Sequence, residues 1–165
     1  MSPDLVEQFR DSLHILGFKL EPEIYDGKFK VFGAERDGRS IIILAHESDK
    51  IGFWGVGMKH VQRLRSVAEE NSLGCWGAVL IDRSSRRGFW IEGSNIESLA
   101  DSLTRRGYFL FHDAKLARNR ELAHYFFSVE EFLRMTGFIG PERIEISGEI
   151  CLRGKYMLAP DIHKR

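Results

Sequence analysis

Four side chains close to one predicted hairpin have the chemistry of a metal-dependent hydrolase: Asp26, Glu35, His46 and Glu47. Carboxylates are hard oxygen ligands for Mg2+ or Mn2+, and an imidazole serves as a nitrogen ligand or proton acceptor. Glu7, on a helix predicted just upstream, adds a further carboxylate if that helix leans toward the hairpin. A metal held this way would activate water for hydrolysis. Each residue also has a plainer reading. Asp26-Gly27 is a turn dipeptide, and Glu35 stands next to another, Asp37-Gly38. The six histidines, His14, His46, His60, His112, His124 and His163, never fall at a short ligand spacing such as His-x-x-x-His. No Walker loop, GxGxxG or GxSxG motif is present.

A second group suits binding rather than catalysis. Arg63 and Arg65 on a predicted helix, with Arg83, Arg86 and Arg87 in a predicted turn, could contact phosphates, or could be ordinary solvated surface. Trp54, next to Phe53 in the stretch 47–57, reads either as an exposed platform for stacking on a base or as a cap on a sheet edge. Gly52, Gly55 and Gly57 make that stretch a flexible loop in this reading. Net charge is zero, 24 basic against 24 acidic residues, which argues against a strong non-specific hold on nucleic acid. The charge is unevenly placed: residues 1–58 carry 7 basic and 10 acidic side chains, and residues 83–120 carry 8 and 4.

The elements carrying these groups can be read from pattern. Leu5, Val6, Phe9, Leu13 and Leu16 recur at helical spacing, with Ser2-Pro3 as the start and Gly17 as the stop. Phe29–Glu35 and Ser40–Ala45 flank Asp37-Gly38, the strongest short-range hairpin signal. Ile41, Ile42, Ile43 and Leu44 form an unbroken apolar run, as expected of a strand covered on both faces. Met58, Val61, Leu64 and Ala68 stripe a second helix that ends near Ser72-Leu73-Gly74. Trp76–Ile81 reads as another inner strand, adjacent to Ile41–Leu44, and Gly88–Glu92 as a short one. Ile96, Leu99, Ala100 and Leu103 predict a third helix stopped by Arg105-Arg106-Gly107, and Tyr108–Phe111 a further strand. Ser128 and Glu131 spell a capping box opening a fourth helix that Gly137 ends, and residues 143–158 suggest a small hairpin. The expected fold is α/β, a mixed sheet with helices on both faces. It divides into a main domain over 1–118 and an appendage of helix and hairpin over 119–165.

No apolar run is long enough to span a bilayer, so no membrane partner is expected. The N-terminus lacks a secretory pattern, and Cys75 and Cys151 are lone thiols in apolar surroundings, which together point to a reducing cytoplasm.

The element order and several short motifs resemble the restriction-endonuclease superfamily, closest to Mrr-type nucleases and archaeal Holliday-junction resolvases. The likeness spans roughly residues 4–116 and rests on Leu16-Gly17-Phe18, Asp26 to Lys30, Ala45-His46-Glu47, Ile51-Gly52, Val61 to Leu64, Asn95-Ile96 and Phe111 to Leu116. It implies a restriction-endonuclease-like fold and a metal site of two acids and a lysine. At the matching positions this chain has Lys30 and Ala45 for the acids and Glu47 for the lysine. A lysine repels a divalent cation and alanine offers it no oxygen, so the family's chemistry is not expected to run, and no metal cofactor is expected. The exchange of sign further suggests that Lys30 and Glu47 pair across the two strands. The expected function is that of a catalytically inactive nuclease-fold module that binds DNA weakly, or binds a protein of DNA repair or transcription machinery. Homodimerisation stays open. The alternatives are an active, Mg2+-dependent endonuclease with ligands relocated to Asp26, Glu35 and Glu47, and a purely structural interaction subunit.

Overall fold

The computed structural model describes residues 4–21, 24–26, 29–71, 75–85 and 87–138, with 24–26 and 29–30 seen through their backbone. The sequence motifs at Ser2-Pro3, Ser72-Leu73-Gly74, Arg86 and 143–158, and Cys151, lie outside the described residues.

The helix α1 (Leu5–Ile15) starts at Asp4 rather than at Ser2, because the Asp4 carboxylate accepts the N–H groups of Val6 and Glu7. It stops at Gly17, whose positive φ lets Phe18 N–H return to Leu13 O at 3.0 Å. Two short strands follow, β1 (Lys19–Leu20) and β2 (Ile24–Asp26). Next is the hairpin of β3 (Phe29–Arg36) and β4 (Arg39–Glu47). Asp37 and Gly38 both have positive φ, 54° and 78°, the two-residue turn whose twist matches the strands it joins.

The chain then turns into β5 (Phe53–Gly57) and α2 (Met58–Glu70), and returns through β6 (Trp76–Ile81) to β7 (Gly88–Glu92). A 3-10 turn (Gly93–Asn95) and the single-turn helix α3 (Ile96–Leu99) lead to β8 (Ser102–Leu103) and β9 (Tyr108–His112). The described chain closes with α4 (Asp113–Arg118), β10 (Ala123–Phe126) and α5 (Val129–Met135). The main sheet runs β1-β3-β4-β6-β7-β10, with β2 beside β3. Every neighbouring pair is antiparallel except β4 and β6. A second sheet, β5-β9-β8, is antiparallel throughout. The protein is thus α/β, with a mixed main sheet, a smaller sheet and flanking helices.

Alternation along β4 divides the core in two. Ile41, Ile43 and Ala45 face α1 and α5, packing with Phe9, Trp90 and Phe132. Ile42 and Leu44 face the other way, toward Val61 and Leu64 of α2 and toward Trp54, Val56 and Phe111 of the small sheet. The apolar run thus has two apolar neighbours to serve, which places β4 inside the sheet next to β6, as its composition predicted.

Four expectations need correction. The stretch 53–57 is strand β5, not a flexible loop: Trp54 pairs with Phe111 and Val56 with Phe109, so alternate side chains enter the core. The predicted third helix stops at Leu99, because Ala100 turns extended and Asp101 N–H bonds to Leu110 O, drawing 102–103 into a strand. The predicted boundary at 118 falls inside the sheet's own construction: β10 pairs with β7, and Val129, Phe132 and Leu133 of α5 enter the α1-facing core. Helix α4 and strand β10 have no counterpart in the sequence reading; their runs of four to six residues are too short to show a period. The capping box at Ser128 and Glu131 forms as expected.

Candidate functional site

A crevice outside the carboxyl ends of parallel strands is where α/β sheets present ligands. Here those ends are Glu47 on β4 and Ile81 on β6, which pair in register. Glu47 is largely buried between the start of α1 and the turn after β6. Its Oε1 accepts the Leu5 N–H at 3.1 Å, and its Oε2 is ion-paired with Arg83 Nε. The carboxylate therefore meets the positive end of the α1 dipole and a guanidinium together. Alternation puts Ala45 on this same face two residues earlier, fully buried in the apolar core. The β3–β4 register sets position 30 directly across from Ala45.

Asp82, immediately after β6, is buried and anchors the adjoining turns. It accepts Gly52 N–H at 2.9 Å on Oδ1, and on Oδ2 the hydroxyls of Ser84 (3.0 Å) and Ser85 (2.8 Å) and Ser85 N–H (3.2 Å). Burial by itself pushes the Asp82 carboxyl up, but the bonds from Gly52, Ser85 and Ser84 outweigh it and hold the group below the usual carboxylate range. Asp49 ties the start of the same loop, accepting Gly55 N–H at 2.8 Å and lying 3.2 Å from His46 Nε2. Ser48 N–H bonds to Ile81 O, and Ser48 Oγ accepts Arg83 N–H. Gly52 has φ +64° at the third position of the Lys50–Phe53 turn, and a Cβ there would meet Asp113 Cβ at 3.0 Å. A shallow cavity of about 360 Å³ opens between these loops, lined by Ser48, Asp49, Lys50, Ile51, Arg83 and Ser84. A larger cavity, about 480 Å³, lies toward the other end of the β3–β4 hairpin; among the described residues its polar lining is Glu21, Glu35, Ser40 and Asn71, with no cation.

Among the described residues, the candidate metal ligands Glu35, His46 and Glu47 are not brought together. His46 and Glu47 are successive strand residues and point to opposite faces of the sheet. Glu35 pairs with Ser40, six residues up the ladder from the Phe29–His46 pair, or roughly 20 Å at strand rise. The side chains of Asp26 and Lys30 lie outside the described residues, and Glu7 sits part-buried on α1. Among the described residues no three His, Cys, Asp or Glu side chains gather as a cation would require. The expected pair of Glu47 with Lys30 lies outside the described residues; the described partners of Glu47 are Leu5 and Arg83.

The binding candidates are also redistributed. Trp54 is wholly buried, with its Nε1–H donating to Ile81 O at 3.2 Å, so it is no exposed platform. Arg87 donates through Nη2 to both oxygens of Asp113, at 2.7 and 2.8 Å, and stacks over Phe89 and Tyr125. Arg65 pairs with Glu97 at 3.0 Å and lies over the ring of Trp76 at the start of β6, while Arg83 lies past its end. These two arginines are thus about six residues apart along a strand, roughly 20 Å, and form no common face. Arg63 is exposed on α2. The residues that do build the crevice edge, Asp49, Asp82 and Ser84-Ser85, were not singled out by sequence reasoning. The available signal was an acid followed by serines directly after a buried strand, a turn pattern.

No known family model matches this chain, and no curated protein matches it. Among the described residues, no helix is long and apolar enough to cross a membrane.

Proposed function

We propose that this chain is a non-catalytic module of restriction-endonuclease type that works by binding another protein. The observation that carries the reading is what stands at the carboxyl end of β4: a sealed alanine at position 45, and at position 47 a carboxylate already held by the Leu5 N–H and Arg83. A catalytic site of this class needs acids open to water and a metal there. The connectivity supports the descent: a helix, three antiparallel strands (β1, β3, β4), a helix, then β6 parallel to β4. Protein binding is preferred over DNA binding because Arg65, Arg83 and Arg87 are engaged by Glu97, Glu47 and Asp113, and the chain is neutral overall. DNA is the second reading. It rests on Arg83, whose side chain is 62% exposed and, among the described residues, bound only through Nε, beside Lys50 in the shallow cavity. Incubation with linear and branched DNA in Mg2+ or Mn2+ tests the first reading; metal-dependent cleavage sensitive to Glu47→Gln would refute it. Salt-dependent DNA binding that weakens on Arg83→Ala would favour the second.

A further inference from the structure

We propose that the β8–β9 hairpin tip and the first turns of α2 together form a docking surface for an acidic, partly apolar segment of a partner protein. The inference deepens the protein-binding reading and rests on it. The two elements are fastened to each other. Gly57, the last residue of β5, pairs with Tyr108, and Met58 N–H, the first of α2, donates to Gly107 O at 2.7 Å. The tip itself is closed by Gly107 N–H to Thr104 O (3.0 Å), Thr104 N–H to Tyr108 O (2.9 Å) and Tyr108 N–H to Thr104 Oγ1 (3.0 Å). Gly107, with φ +88°, takes the left-handed position this turn requires. A tip held this way has little backbone entropy left to lose on binding.

The surface gathers cations that no acid meets among the described residues; Lys19, Lys50 and Arg118 are exposed in the same way but lie on other elements. Arg36, Arg39, Arg65, Arg83, Arg87 and Arg120 each meet a carboxylate, a carbonyl or an aromatic ring. Arg105 and Arg106 at the tip, and Lys59 and Arg63 one turn apart on α2, are exposed and have no side-chain partner among the described residues. The first turn of α2 carries no acidic side chain and its N-cap, Gly57, gives none, so the helix dipole adds to the same positive field. Such a field selects an acidic ligand and speeds its approach. Two apolar side chains are exposed beside the tip, Leu103 at 50% and Tyr108 at 43%, on opposite faces of the hairpin because Leu103 pairs with Phe109, the strand neighbour of Tyr108. Nucleic acid would satisfy the four cations and leave Leu103 in water, whereas an acidic peptide with interspersed apolar residues covers both. Arginine and tyrosine are also the residue types that most often anchor protein interfaces.

The test uses the full chain and fluorescence anisotropy at low and at physiological salt. The probes are a labelled peptide of glutamates and leucines in equal number, its lysine-for-glutamate counterpart, and a DNA duplex. The variants are R105E/R106E, K59E/R63E and, as a control on α4, R118E, each checked for an unchanged melting temperature. The acidic peptide should bind wild type in a salt-dependent way, weaken about tenfold in each of the first two variants, and bind R118E as wild type. Absence of binding, equal binding to R105E/R106E, or tighter binding to the duplex than to the peptide would overturn the proposal. The metal-dependent cleavage assay reports on the non-catalytic reading separately, since none of these four cations lies at positions 45 or 47.

Discussion

Arg83 Nε is ion-paired with one oxygen of Glu47, while the other oxygen takes the N–H of Leu5, so one carboxylate joins the ends of β4, β6 and α1. The three partners are unequal. Glu47 is buried, and removing it would strand a buried backbone donor; Arg83 is mostly in water. Glu47→Ala should lower the unfolding free energy by about 1–3 kcal/mol. Arg83→Ala should lower it by less than about 1 kcal/mol. Urea unfolding of the two variants checks the order, and equal losses would mean that the pair, not the helix contact, holds the carboxylate.

Placing acids at positions 30 and 45 should not create a metal site. Ala45 is fully buried on the face covered by α1, so Ala45→Glu inserts a carboxylate where no described group waits to pair with it. The expected result is a loss of several kcal/mol, or a carboxyl that stays protonated and binds no metal. Thermal melting with and without Mg2+ decides it: a Lys30→Asp, Ala45→Glu protein that melts higher with Mg2+ would show that the pocket opens after all.

The inner strands were legible because composition alone set them. Ile41 to Leu44 must be covered on both faces wherever the chain goes, and the Asp37-Gly38 turn fixes its hairpin locally. The contrast is sharpest between the two faces of β4. Ile43 is sealed against α1 and α5, whereas Ile42 keeps a little exposure above the larger cavity. Ile43→Asp should therefore destabilise more than Ile42→Asp, both by several kcal/mol; thermal or urea unfolding of the two variants checks the order. What pattern could not show is which polar groups meet. Asp82 reaches Gly52 across 30 residues of sequence, and Arg87 reaches Asp113 across 26, and nothing at either position names its partner. Glycines at 52, 55 and 57 suggested looseness for a similar reason. Gly55 is a strand residue whose N–H is taken by Asp49, a contact only the fold creates.

Trp54 should behave as core. Its indole packs edge-on to Phe89 at 6.0 Å between ring centres, and its N–H has a carbonyl partner in Ile81. Trp54→Ala should cost about 3–5 kcal/mol, and Trp54→Phe distinctly less, since most of the volume is kept and one hydrogen bond is lost. Chemical denaturation of both variants measures the two losses. A stable Trp54→Ala protein with altered nucleic-acid affinity would contradict the buried placement.

Asp82 links stability to pH. Its carboxylate is held below the usual range, so the folded state favours the ionised form more than the unfolded chain does. A depressed native pKa contributes stability that is complete above the unfolded value and is lost as pH falls through the lower native value. Asp82→Asn removes the charge that Gly52, Ser84 and Ser85 share as an acceptor, and presents an amide donor to groups that already donate. At neutral pH the variant should be less stable by about 1–3 kcal/mol. On acidification wild type should lose this advantage while the variant does not, so the two curves should converge below the ordinary carboxylate pKa of about 4. Urea unfolding measured across that range checks the sign. Curves that run parallel, with the same gap at neutral and at acid pH, would mean that Asp82 acts through shape and not through its charge.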